Sequence, residues 1–164
     1  MDKQDLVAQL RAQLARAART ALSARDGAAS EAREGATPAE QREDARAAHQ
    51  LATMGSAQEQ RARRALAESD ALTTFRPAPL PATAAIQLGA VVEIESDDTG
   101  EGRTFFLAPV GAGITLTGPG GDGLLSVVTP MSPIGRAVLG RRTGDFVDVT
   151  VDGEPLEWQI TFVG

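Results

Sequence analysis

Glycine and proline are nearly absent from the first 72 residues, and this constrains the fold more than any other feature. Of the 17 glycines only Gly27, Gly35 and Gly55 fall there, and of the nine prolines only Pro38. A stretch so poor in breakers and so rich in Ala, Leu, Arg, Gln and Glu favours continuous helix, with one interruption near Gly35–Pro38. The remaining glycines and prolines crowd into residues 73–164. Turns must therefore recur there at short intervals, which suits strands and excludes long helices.

In the first helix Leu6, Leu10, Leu14, Ala17, Ala21, Ala24 and Ala28 recur at three- and four-residue steps, with polar residues between them. Gly35 is the stop signal. Thr37-Pro38-Ala39-Glu40 is a restart, with Thr as cap, Pro at the first helical position and Glu closing a capping box. The second helix runs to about Ala71, with Ala48, Leu51, Met54, Ala62, Ala65, Leu66 and Leu72 as seam residues and Gly55 as a weak point. Two helices of about 32 residues, each about 48 Å long, joined by so short a turn pack antiparallel. An alanine seam allows close approach but buries little area per residue.

Phe75-Arg-Pro-Ala-Pro-Leu-Pro81 continues neither helix and reads as a linker. Beyond it lie six strand-like runs: Val91–Glu95, Arg103–Leu107, Gly113–Thr117, Leu124–Val128, Phe146–Val151 and Leu156–Val163. Asp152-Gly153 is a hairpin turn. Gly118-Pro-Gly-Gly-Asp-Gly123 lacks the Lys-Ser/Thr of a phosphate-binding loop and reads as an exposed hairpin loop. One short helix from Pro133 to Leu139, capped by Ser132, interrupts the strands. Trp158, Ile160 and Phe162 share one face of the last strand by alternation, with Trp158 in the core. The expectation is an α+β chain: a coiled-coil hairpin over residues 1–74, a linker over 75–83, and an antiparallel sheet with one short helix over 84–164.

Charge separates the same halves. Residues 73–164 contain only five basic residues, Arg76, Arg103, Arg136, Arg141 and Arg142, and they carry the whole net charge of -6. An acidic domain does not coat nucleic acid by itself, so the expected partner is a protein with basic surfaces. The chain has no cysteine and one histidine, His49, which excludes disulfides and the common zinc constellations. No apolar run is long enough to span a membrane and no signal-peptide core is present, so a cytoplasmic location is expected.

Ser132-Pro-Ile-Gly-Arg-Ala-Val-Leu-Gly140, followed by Gly144-Asp145 and the closing strand pair, resembles the C-terminal signature of the Gre family of bacterial transcription factors. Glu31-Ala-Arg-Glu34, just before the hairpin tip, resembles the family more weakly. The resemblance implies a coiled-coil hairpin followed by an FKBP-like domain, in a monomer that binds RNA polymerase and acts through its secondary channel. It meets nucleic acid only indirectly, within the elongation complex. The implied polymerase-binding residues are Ser132, Pro133, Ile134, Gly135 and Arg136. An Asp often precedes the Ser-Pro pair in the family; here Met131 stands in its place.

In the family the hairpin tip brings carboxylates to the polymerase active site and helps hold a second Mg²⁺ for cleavage of backtracked RNA. The factor is then an accessory protein with no cofactor of its own, sharing Mg²⁺ with the polymerase. The tip pattern is approximately Gly-Asp-Leu-x-Glu-Asn, and the corresponding stretch here is Gly35-Ala-Thr-Pro-Ala-Glu-Gln41. Glu40 aligns as the metal-holding catalytic carboxylate, and the aspartate is missing in either alignment. Glu43 and Asp44, one turn later, are the candidates for a second catalytic carboxylate; as ordinary residues they suit a solvated helix start. Stimulated cleavage and binding without cleavage both stay open at this point.

A competing reading is an FKBP-like peptidyl-prolyl isomerase or chaperone with a helical arm. Such a site needs an aromatic-lined pocket, and the domain offers only Phe105, Phe106, Phe146, Trp158 and Phe162. A purely structural coiled-coil protein would leave the Ser-Pro helix unexplained.

Overall fold

The computed structural model describes residues 3–34, 41–118, 121, 123–151 and 154–164. The chain divides into two compact units, one comprising Met1–Arg11 with Ala71–Gly164 and the other Ala12–Asp70. Helix α1, Lys3–Glu34, contributes its first turns to the former and the rest to the latter; helix α2 is Gln41–Ala71.

The helical unit is an antiparallel pair in which Arg25 Cγ lies 3.9 Å from where a β-carbon of residue 55 would sit. Its buried side chains are Leu14, Ala18 and Ala21 on α1 and Ala62 and Ala65 on α2. The expected seam drifts from this set: Ala17 and Ala24 are exposed, as are Met54 at 57% and Leu66 at 47%. On α1 the buried set runs Leu14, Ala18 and Ala21, one residue beyond the expected step to Ala17. The Thr37–Glu40 restart lies outside the described residues.

The other unit holds a six-stranded sheet. Its strands are β1 (Val91–Ser96), β2 (Gly102–Leu107), β3 (Thr115–Thr117), β4 (Leu124–Val128), β5 (Phe146–Val151) and β6 (Glu154–Val163), with α3 (Pro133–Val138) between β4 and β5. Their spatial order is β3-β4-β2-β1-β6-β5. All neighbouring pairs are antiparallel except β2 and β4, which run parallel with Phe106 opposite Val127. The sheet is thus mixed, where the sequence suggested only antiparallel pairing. The chain leaves β2, forms the outer strand β3, and returns through the Gly118–Gly123 loop so that β4 inserts between them. That loop is closed by Gly118 N–H donating to the Gly123 carbonyl at 3.0 Å. The Asp152-Gly153 turn lies outside the described residues, although Val151 and Glu154 on either side of it are paired.

Alternation along the strands builds two buried layers. One holds Val92, Ile94, Phe105, Leu107, Val147, Val149, Trp158 and Ile160 under Val138 of α3. The other face buries Val91, Phe106, Leu116, Leu125 and Val127. Phe75 packs on Phe106 with ring centroids 6.4 Å apart. On the same unit Gln9 is bonded twice to the backbone of Thr117, donating to its carbonyl at 3.1 Å and accepting from its N–H at 2.9 Å. Leu6 and Leu10 are fully buried, and Leu10 lies against Gly111, where an added β-carbon would meet Leu10 Cδ1 at 2.7 Å.

One expected face is broken. The register between β1 and β6 shifts between Glu93 and Ile94, which pair with Phe162 and Ile160. Thr161 is thereby left without a partner residue, a β-bulge that offsets the alternation by one. Val163 enters the core at 1% exposure, while Phe162, expected beside Trp158 and Ile160, is only half-buried and packs its ring on Gly164.

Candidate functional site

The Ser-Pro helix is held by its own first residues. Ser132 is extended (φ −71°, ψ 153°), and its hydroxyl donates to the Thr129 carbonyl at 2.8 Å while accepting from the Gly135 N–H at 3.0 Å. Pro133 follows at the first turn, where a missing N–H costs nothing. Gly135 is buried because the backbone of Thr129 runs directly across it. Val138 anchors the helix in the core, and Ile134 is packed partly against it. Beyond the helix Gly140, at φ 79°, donates to the Ile86 carbonyl at 2.8 Å, and Ile86 N–H returns a bond to the Arg141 carbonyl at 2.8 Å.

The Gly144-Asp145 part of the signature is equally structural. Asp145 accepts from the Arg142 N–H at 2.9 Å. Gly144, at φ 91°, donates to the Ile160 carbonyl, and the Asp145 carbonyl accepts from Ile160 N–H at 2.9 Å. Arg142 extends across to the Thr83 carbonyl, to which its guanidinium donates. The segment is therefore tied at both ends to the sheet and to residues 83–86. That gives a rigid mount for the side chains it exposes.

Of the five expected binding residues, Pro133 and Arg136 face solvent, Ser132 and Ile134 are half-buried, and Gly135 is inside. Pro133 and Arg136 are the two with surface to offer, whereas Ser132 and Gly135 hold the backbone that presents them. Met131, immediately before them, is 78% exposed, and Leu139, at the far end, is 44% exposed. Neither was among the expected binding residues, since only exposure distinguishes them from core apolar residues. The side chains of Glu40, Glu43 and Asp44 lie outside the described residues. Among the described residues no group of three or more His, Asp or Glu side chains could hold a metal ion.

The domain's aromatic residues are largely spent on packing: Phe105 is 5% exposed, and Phe106 and Trp158 are fully buried. Arg103 covers the Trp158 ring, with Cζ 5.7 Å from its centroid. That leaves Phe146, 45% exposed, and half-buried Phe162 as the aromatic side chains of residues 84–164 with surface to offer an isomerase-like cleft. A concavity of about 530 Å³ lies on the helical unit between Arg16 and Arg61 over Ala17, Ala21 and Ala24. It includes none of the expected site residues.

Residues 81–164 match the family model described as transcription elongation factor, GreA/GreB, C-terminal. The chain belongs to the GreA/GreB family of transcription elongation factors, accessory proteins that bind RNA polymerase and act through its secondary channel. Among solved structures it is similar to GreA factor homolog 1 (Gfh1) of Thermus thermophilus, at 21% identity over 96% of this chain and 94% of that one, with a TM-score of 0.42. It is also similar to Gfh1 of Thermus aquaticus, at 18% identity over 98% and 90%, TM-score 0.39. A third is GreA/GreB from Nitrosomonas europaea, at 19% identity over 60% and 78%, TM-score 0.38. At these TM-scores the family assignment rests on the family model alone. No curated protein sequence matches the chain. No described helix is long and apolar enough to cross a membrane.

Proposed function

We propose that this protein docks on RNA polymerase through the segment around Ser132, Pro133 and Arg136, occupies the secondary channel, and stimulates transcript cleavage weakly or not at all. The observation that carries the reading is the composition of the tip. No aspartate occurs between Asp26 and Asp44, so residues 35–41 offer a single carboxylate, Glu40.

Mg²⁺ demands near-octahedral oxygen ligation at about 2.1 Å and is held best by closely placed carboxylates. Glu40 with the neutral hydroxyl of Thr37 does not fit that requirement, and the hydroxyl has a competing use as a helix cap. Glu43 and Asp44 begin the next helical turn, and the lean of helical side chains towards the N-terminus carries them back by only about one residue, short of the tip. The donor set thus supports occupancy without strong catalysis, and no cleavage step is assigned to this chain.

The test is RNA cleavage in a stalled, backtracked elongation complex with the full chain added. Binding without accelerated cleavage is expected, and Thr37→Asp should raise the cleavage rate. Cleavage as fast as with an ordinary Gre factor, lost in Glu43→Ala or Asp44→Ala, would show that the second carboxylate comes from the following turn.

A further inference from the structure

The concavity of about 530 Å³ on the helical unit has a volume usual for small-molecule sites, and neither the docking segment nor the tip contributes to it. Its floor comes from α1. Ala17, Ala21 and Ala24 follow one another at four- and three-residue steps and so share one helix face. Ala17 and Ala24 are exposed, although they belong to the alanine pattern that the sequence suggested for the seam. Three methyl groups, where a solvated helix face ordinarily carries long side chains, leave a hollow with an apolar base. Around it stand Arg16 and Thr20 of α1 with Gln58 and Arg61 of α2, and none of the eight lining residues is acidic.

The neighbouring cations are engaged and these two are not. Arg25 pairs with Asp26 at 2.6 Å, Arg63 with Glu59 at 2.5 Å and Arg64 with Glu68 at 2.9 Å. Arg16 and Arg61 are exposed, and among the described residues neither guanidinium makes an ion pair or a hydrogen bond. From Ala12 to Arg25, α1 carries three arginines and no carboxylate. Two like charges, one from each helix, thus border a single hollow, and an anion between them offsets their repulsion. Guanidinium forks match phosphate oxygens bidentately. The alanine floor offers apolar contact to a sugar or base, and the Gln58 amide and Thr20 hydroxyl can each donate and accept. An RNA strand is served less well. Single-strand grooves combine continuous positive charge with aromatic stacking, whereas the flanking arginines are already paired and residues 12–70 contain no Phe, Tyr or Trp.

We propose that this hollow binds a free nucleoside di- or triphosphate, with Arg16 and Arg61 on the phosphates and the sugar or base over Ala17, Ala21 and Ala24. The ligand bridges α1 and α2 where the buried seam runs out. Among the described residues α1 has no buried side chain from Leu22 to Ser30, and α2 has none from Arg46 to Arg61. A ligand that binds the paired helices and not the separated ones stabilises the pair by mass action. The hairpin's stability then depends on nucleotide concentration, with no polymerase required.

The experiment titrates the full chain alone, by calorimetry, with ATP, GTP, inorganic tripolyphosphate and a short single-stranded RNA oligonucleotide. Arg16→Gln/Arg61→Gln removes both forks and Ala17→Leu fills the floor. Arg19→Gln is the control, an exposed arginine of the same helix that does not line the hollow. Circular dichroism first checks each variant; all four positions are exposed, so the helices should persist. The wild type should bind a nucleoside triphosphate with a Kd on the order of 100 μM. Bound nucleotide should raise the thermal midpoint and slow hydrogen exchange over Leu22–Ser30 and Arg46–Arg61. The double variant should weaken binding at least about tenfold and lose the thermal shift, Ala17→Leu should cost about fivefold, and Arg19→Gln should stay within about twofold. Nucleotide binding that survives both the double variant and Ala17→Leu overturns the site, as does the absence of saturable binding to any of the four probes. Tripolyphosphate bound as tightly as the nucleotides overturns the nucleotide assignment. RNA that binds and is not displaced by free nucleotide would reassign the hollow to a strand and overturn the proposal.

Discussion

A β-carbon on residue 135 would stand 1.9 Å from the carbonyl oxygen of Thr129. That oxygen already accepts the Ser132 hydroxyl, so it cannot retreat without breaking the cap. Gly135→Ala should therefore destabilise the C-terminal unit by about 3 kcal/mol, as expected for a backbone clash in a packed site. Denaturant titration measures it, and a loss below about 1 kcal/mol would mean that the 129–132 turn is softer than its bonds imply.

Ser132→Ala removes the acceptor for Gly135 N–H and the donor to Thr129 at once. Loss of an N-cap costs about 1 kcal/mol. The expected result is a modest fall in stability together with weaker polymerase binding, because the exposed side chains lose their fixed mount. Ser132→Asp retains an acceptor for the N–H and should recover part of the stability.

Ser96 and Trp158 face each other across β1 and β6, and both are buried with a polar atom, Oγ and Nε1, that has no hydrogen-bond partner. A buried hydroxyl without a partner has lost water and gained nothing in return. Ser96→Ala should raise stability by about 1 kcal/mol, read as an increase in the denaturation midpoint. A decrease of that size would show that the hydroxyl does have a partner in solution.

Lys3 is 5% exposed, and its ammonium donates to the Ala78 carbonyl at 2.8 Å. Burial lowers its pKa below the ordinary lysine value. In the alkaline window between the lowered folded value and the ordinary one, the unfolded chain binds more protons than the folded chain. Stability from this group therefore rises with pH across that window. Wild type should gain on Lys3→Met as pH is raised through it, and parallel pH profiles would contradict the assignment.

The helical unit loses its buried seam part-way along. Among the described residues α1 has no buried side chain from Leu22 to Ser30, and α2 none from Arg46 to Arg61. With little apolar area to close them, these turns should open far more readily than those around Leu14, Ala18 and Ala65. Hydrogen exchange should be fast over about Ala24–Ser30 of α1 and Arg46–Arg61 of α2. Uniform protection along both helices would indicate that a partner or a second copy covers them.

Much of this was legible because it is local. The breaker-poor first 72 residues, the six strand-like runs and the Ser132-Pro133 start each specify their element through neighbouring residues alone. So does the Gly144-Asp145 turn. What the sequence could not determine depends on distant pairing. The insertion of β4 beside β2 follows from a crossover, and the bulge at Thr161 arises only when β6 meets β1. The bulge then decides that Val163 and not Phe162 enters the core. The seam shift from Ala17 to Ala18 likewise depends on where α2 lies. The exposure of Met131, Leu139 and Arg141 is of the same kind. An apolar or charged letter carries no record of what covers it; only the packed sheet, with Val138 drawn into its core, leaves those three side chains outside.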